Sequence, residues 1–133
     1  MASAPHGTGI IWAQSRISTE AKDVLDENTF LTWYDEEHIA DVVATSAVQS
    51  GFRYLDANKT SPCGNEGNHM PFLALYPVPD LSFMLGDEFK KIRVQSDKLP
   101  GSGVVFDSVD FEISSLGILD KTERKKTIGG YIW

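Results

Sequence analysis

The chain has 133 residues, 41% hydrophobic and 23% charged, which fits one globular domain and excludes an intrinsically disordered chain. Nineteen acidic residues against 12 basic ones give a net charge of −7 at pH 7. That balance argues against nucleic acid or an anionic membrane surface as a principal partner. Cys63 is the only cysteine, so an intrachain disulfide is excluded and a reducing setting is expected. The opening MASAPHGTG has neither the charged nor the apolar region of a secretory signal. No apolar run approaches the ~20 residues that cross a bilayer. A cytoplasmic protein with no membrane contact is the expectation.

In chain order, GIIWAQSRI (9–17) is rich in isoleucine and tryptophan and bounded by glycine and serine, which predicts a strand. Residues 18–25 are polar and irregular. DENT (26–29) supplies a capping side chain and early acidic residues, so a helix is predicted to start near Asp26–Asn28 and run to Ser46. AVQSGFRYLD (47–56) reads as a second strand, and ANKTSPCGNEGNHM (57–70) as a long loop. FLALYP (72–77) is an apolar third strand. Asp80 is placed to cap a second helix, LSFMLGDEFKKIR, with Leu81, Leu85, Phe89 and Ile92 on one stripe. A turn-rich connection (96–103) leads to VVFDSVDFEI (104–113), the fourth strand. Residues 1–120 then form one domain and 121–133 a basic tail with an aromatic end.

The order β-α-β-β-α-β predicts an α+β fold of ferredoxin-like type: a four-stranded antiparallel sheet with two helices on one face. The predicted strands carry apolar residues on both sides. Ile10 and Trp12 oppose Ile11, Ala13 and Ile17; Phe72, Ala74 and Tyr76 oppose Leu73 and Leu75; Val105, Val109 and Phe111 oppose Val104 and Phe106. Two helices cover one face only, so a second copy packed sheet on sheet is the expected cover for the other.

At 100° per residue, Phe30, Asp41, Tyr34, Thr45, His38, Leu31 and Val42 fall within an arc of about 120° on the first helix. Tyr34, His38 and Asp41 on a core-facing arc need partners or a pocket. An internal network in which Asp41 accepts from His38 is one solution, and a cavity is the other. Asp35-x-x-His38 has the spacing of a carboxylate-bridged metal site, but no second such motif exists, so no metal is expected. His6 and His69 belong to no pattern. Cys63 has no paired histidine motif, and Gly101 and Gly103 lack the lysine and following helix of a phosphate loop.

WYDEEHIADV (33–42), GFRY (51–54), PFLALYPVPDL (71–81), GDEFKKI (86–92), SDKLPGSG (96–103) and FDSVDFE (106–112), in that order, resemble the EthD-like proteins of the dimeric α+β barrel superfamily. The small fungal members are the nearest in kind. The likeness spans residues 8–115, and the 57–70 loop and the tail lie outside it. Ala40 stands where the family usually has proline, which should leave the helix less kinked.

The resemblance implies a homodimer with facing sheets and a ligand cavity between each sheet and its own helices. It also implies cofactor-free chemistry on phenolic polyketides, including decarboxylation of anthraquinone-type acids in secondary metabolism. His38 takes the position of the family's helix histidine. On that basis His38 is the expected acid or base; Asp41, one turn on, is spaced to orient it, and Tyr34, one turn back, to hold a phenol or quinone oxygen. Trp12, Phe30, Phe52 and Thr45 are the expected substrate contacts. A lyase is the leading expectation. A cofactor-free oxygenase or cyclase, or a non-catalytic small-ligand binder, is the alternative.

Overall fold

The computed structural model describes residues 4–122 and the backbone of 125–127 and 130–132. The fold is α+β, with one four-stranded antiparallel sheet and two helical regions, as a ferredoxin-like chain requires. β1 (Gly9–Ile17) lies between β3 (Phe72–Val78) and β4 (Val109–Gly117), with β2 (Phe52–Leu55) outside β3, giving the order β2-β3-β1-β4. In the predicted tail, β5 (Lys125–Thr127) and β6 (Gly130–Ile132) pair as a hairpin, which composition did not suggest. Among the described residues no helix is long and apolar enough to cross a membrane.

The strict alternation along β1 puts Ile11, Ala13, Ser15 and Ile17 on the helix side, all buried. Phe72, Ala74, Tyr76 and Val78 of β3 join them, each at 3% exposure or less. Onto this surface the first helix lowers Phe30, Trp33, Tyr34 and Val42. Full burial of such side chains stabilises the fold by ~1.5–3 kcal/mol each. Asp26 caps the helix by accepting from the Thr29 amide at 2.7 Å, so the expected start is correct.

That helix is not uniform. α1 (Glu27–Trp33) passes into a π turn (Tyr34–His38) and then α2 (Ile39–Val43). The Ile39 amide donates to the Tyr34 carbonyl, five residues back instead of four. One residue is in effect inserted, so later positions fall back around the axis by about 100°. Val42 stays on the core side, while Asp41 and Thr45 leave it. The expectation of a plain helix with Asp41 and Thr45 on the inner arc is therefore corrected. The π turn is anchored from outside by Asp35, which accepts two bonds of 2.6 Å from the Arg53 guanidinium on β2.

Three boundaries differ from expectation. The second strand covers only Phe52–Leu55; Val48 plugs the core ahead of it at 1% exposure. The second helix is a 3₁₀ turn (Leu81–Leu85) followed by one short turn, α3 (Asp87–Lys90). Extended Gly86 (φ −90°, ψ 171°) separates them, and Leu85 is 52% exposed, so the predicted stripe is broken. The fourth strand begins at Val109, because Gly101 and Gly103 take positive φ and a 3₁₀ turn (Val105–Asp107) uses up the apolar run before it. Ser114 and Ser115, just past the expected end at residue 113, lie inside the strand.

The helix-free face is apolar over three strands. Phe52, Leu75 and Trp12 align across it, as do Tyr54 and Leu73, with Ile10 opposite Leu116. Phe52 is 46% and Tyr54 52% exposed. Its β4 edge is polar, with Asp110, Glu112 and Ser114, and Asp110 pairs with Arg16 at 3.0 Å. The predicted β4 alternation through Val104, Val105 and Phe106 is corrected, since these residues precede the strand.

Candidate active site

A half-enclosed cavity of about 300 Å³ lies between the sheet and its helical cover. Ile11, Ala13, Tyr76 and Ile113 form its sheet side. His38 and Val42 face it from the first helix. Phe83, Phe89 and Phe106 contribute aromatic wall, and Lys90 is the one charged residue in the lining. The volume is at the lower end of the ~300–1,000 Å³ typical of small-molecule sites, room for a flat fused-ring body.

His38 is held by aromatic packing. Its ring stacks on Trp33 (centroids 5.0 Å apart, interplanar angle 16°) and meets the edge of Tyr34 at 5.2 Å. Behind them Phe30 packs against Tyr34 and Phe72 at 5.5 and 5.1 Å. This chain of rings packs around the imidazole, whose Nδ1 is buried and makes no hydrogen bond. Burial pushes the His38 pKa down from 6.5 to about 4, and the charge of Asp41 opposes the shift without cancelling it. At neutral pH the imidazole is therefore uncharged.

Three buried hydroxyls also lack partners: Ser15 on β1, and Tyr34 and Tyr76 at 1% and 3% exposure. The two phenols are near enough to interact, but no hydrogen bond of acceptable geometry joins them. Burial raises both pKa values, so both stay protonated. Tyr76 is seated by a close backbone approach. A Cβ on Gly51 would come within 2.8 Å of its ring, which gives the glycine of GFRY a packing reason.

The expected site residues are only partly gathered. His38 faces the cavity and Tyr34 lies beside it, outside the lining. Asp41 makes no hydrogen bond to His38; it accepts from Arg93 Nε at 2.7 Å and holds that guanidinium's pKa up. Its expected orienting role is corrected. Phe30 is fully buried in the core behind the site. Trp12 and Phe52 lie on the opposite face of the sheet. Thr45 donates to its own helix at the Val42 carbonyl, 2.7 Å away, beside a surface groove with Arg93 and Glu88.

Tyr76, Phe83, Phe89 and Phe106 went unassigned in the sequence. Tyr76 left a signal there: a tyrosine on the inner face of a buried strand must place a hydroxyl in the core. Two other features carry no such chemistry. The open cleft along Glu36, Glu37, Arg93 and Lys98 is polar, and its charges pair among themselves: Arg93 with Glu37 at 3.5 Å, Lys98 with Glu36 at 3.5 Å. The 57–70 loop is tied down by Asp56, which accepts from Asn58, Thr60 and Asn68, and by Pro62 bonded to Ile17. Cys63 packs there against the core.

Asp35 is occupied by Arg53, and among the described residues no group of three or more His, Cys, Asp or Glu side chains is placed to hold a metal ion. No family model, curated protein or solved structure matches the chain.

Proposed function

We propose that the chain is a cofactor-independent lyase of the EthD-like kind, decarboxylating an aromatic polyketide acid of anthraquinone type. The observation that carries this reading is a half-buried imidazole, its Nδ1 buried without a hydrogen bond, opening onto an apolar cavity walled by aromatic rings. A flat hydroxylated ring matches that shape, and His38 is the one titratable group there able to exchange a proton near neutral pH. A substrate carboxylate brought against the imidazole supplies an opposite charge, which the cavity lining does not offer. It raises the His38 pKa, so binding takes up a proton. His38 then gives that proton to the ipso carbon, the bond to the carboxyl carbon breaks, and its electron pair returns to the ring as CO2 leaves. The test is incubation with a panel of hydroxylated aromatic acids, followed by mass spectrometry for loss of CO2. No loss from any of them would remove the reading.

The neutral state of His38 in the empty cavity favours a second reading, in which it serves as base toward a phenol in a cofactor-free oxygenase or cyclase. Oxygen uptake with an anthrone separates the two.

The same reading makes the protein a cytoplasmic homodimer that buries the face bearing Ile10, Trp12, Phe52, Tyr54, Leu73 and Leu75. Sedimentation at micromolar concentration should give twice the 14.7 kDa chain mass. Trp12→Arg should return it to one chain. A wild-type monomer would overturn the pairing.

A further inference from the structure

We infer that Tyr76, not Tyr34, selects the ligand: its hydroxyl donates to a carbonyl or phenolic oxygen on a flat aromatic guest held beside His38. The assignment rests on the reading of the cavity as the active site, and it adds the class of ligand atom that the site recognises.

Three observations support it. Tyr76 lines the cavity and Tyr34 does not. The Tyr76 hydroxyl is buried at 3% residue exposure with no hydrogen-bond partner, a costly arrangement for a group that has only a packing role. The ring also lies directly against Gly51, where a Cβ would come within 2.8 Å of it, so the backbone limits its movement on that side. Burial keeps the phenol protonated, which makes it a donor, and the guest must therefore offer an acceptor.

The rest of the lining is apolar apart from His38 and the exposed Lys90. An oxygen placed anywhere else in the interior would be desolvated without compensation. The site should thus discriminate between two guests of equal shape that differ by one oxygen.

The test uses such a pair as probes, 9-fluorenone with its carbonyl and fluorene without it, titrated into the full chain and followed by tryptophan fluorescence. Wild-type protein should bind fluorenone the more tightly. Tyr76→Phe should weaken fluorenone by about five- to tenfold, the worth of one neutral hydrogen bond, and leave fluorene unchanged. Ligand-free Tyr76→Phe should melt at the wild-type temperature or above, because an unpartnered buried hydroxyl has been removed. Equal losses for both probes, no loss for either, a lowered melting temperature, or wild-type protein that binds neither would overturn the assignment. The fluorenone preference with no CO2 released from any acid would keep Tyr76 and remove the lyase. CO2 release with no Tyr76 effect on either probe would do the reverse.

Discussion

His38→Gln should lower kcat for decarboxylation by about 10²–10⁴-fold, the usual worth of general acid–base catalysis, or about 3–5.5 kcal/mol of barrier. Glutamine keeps the helix, since it is a good helix former, and it keeps a polar edge toward the cavity. It cannot carry a proton to carbon. The pH profile should separate free protein from complex. In kcat/KM, which reports the free enzyme, the His38 ionisation should stand near 4, where burial places it. In kcat, which reports the complex, it should move up, because a bound carboxylate favours the imidazolium. Calorimetric binding of an aromatic acid in two buffers of different ionisation enthalpy should show proton uptake by the wild type and none by His38→Gln. A folded His38→Gln protein with unchanged kcat would make this histidine a packing residue, wedged between Trp33 and Tyr34.

The fold was legible where one periodicity held without interruption. Along β1 every second residue from Ile11 to Ile17 is buried, and the Asp26 cap marks the helix start through a local bond to Thr29. Errors came where a local event broke the period. Gly86 splits the second helical region, and the positive-φ glycines at 101 and 103 delay the fourth strand. The π turn at Tyr34–His38 had the largest consequence for the site. Nothing in YDEEH announces it, because it is set by packing: Trp33 and Tyr34 both reach the core, and His38 must stack on Trp33. An ideal helix places Asp41 beside His38 on the inner arc. The inserted residue turns Asp41 outward to Arg93 and leaves the imidazole without its expected partner.

Contacts across the sheet were hidden for a different reason. Alternation separated Trp12 from Ile11 and Ala13 along β1, but did not say which of the two faces holds the cavity. Which face the helices cover is a tertiary fact, decided by Ile11, Ala13 and Tyr76 meeting Val42 and the Phe83–Phe89 pair.

The buried neutral state of His38 also sets a pH dependence of stability whose sign follows directly. Unfolded, the imidazole titrates at 6.5; folded, at about 4. As pH falls below 6.5 the unfolded chain takes up a proton that the native state refuses, so stability drops. The slope approaches about 1.4 kcal/mol per pH unit and flattens near pH 4, for a total of about 3 kcal/mol. Asp26, Asp56, Asp80 and Glu88 have pKa values lowered chiefly by hydrogen bonds to their carboxylates. Stability from these exposed groups is present above their unfolded pKa values near 4 and is lost only as pH falls further, so the window above pH 5 reports His38. Urea unfolding at pH 7 and pH 5 should show wild-type protein losing about 2 kcal/mol, and His38→Gln losing less than half of that. Parallel losses in the two proteins would mean that the histidine reaches solvent or a partner in solution. A bound aromatic acid should stabilise wild-type protein more at pH 5 than at pH 7. At the lower pH its carboxylate holds the imidazolium that the empty cavity excludes, and the cost of burying that charge becomes part of the affinity.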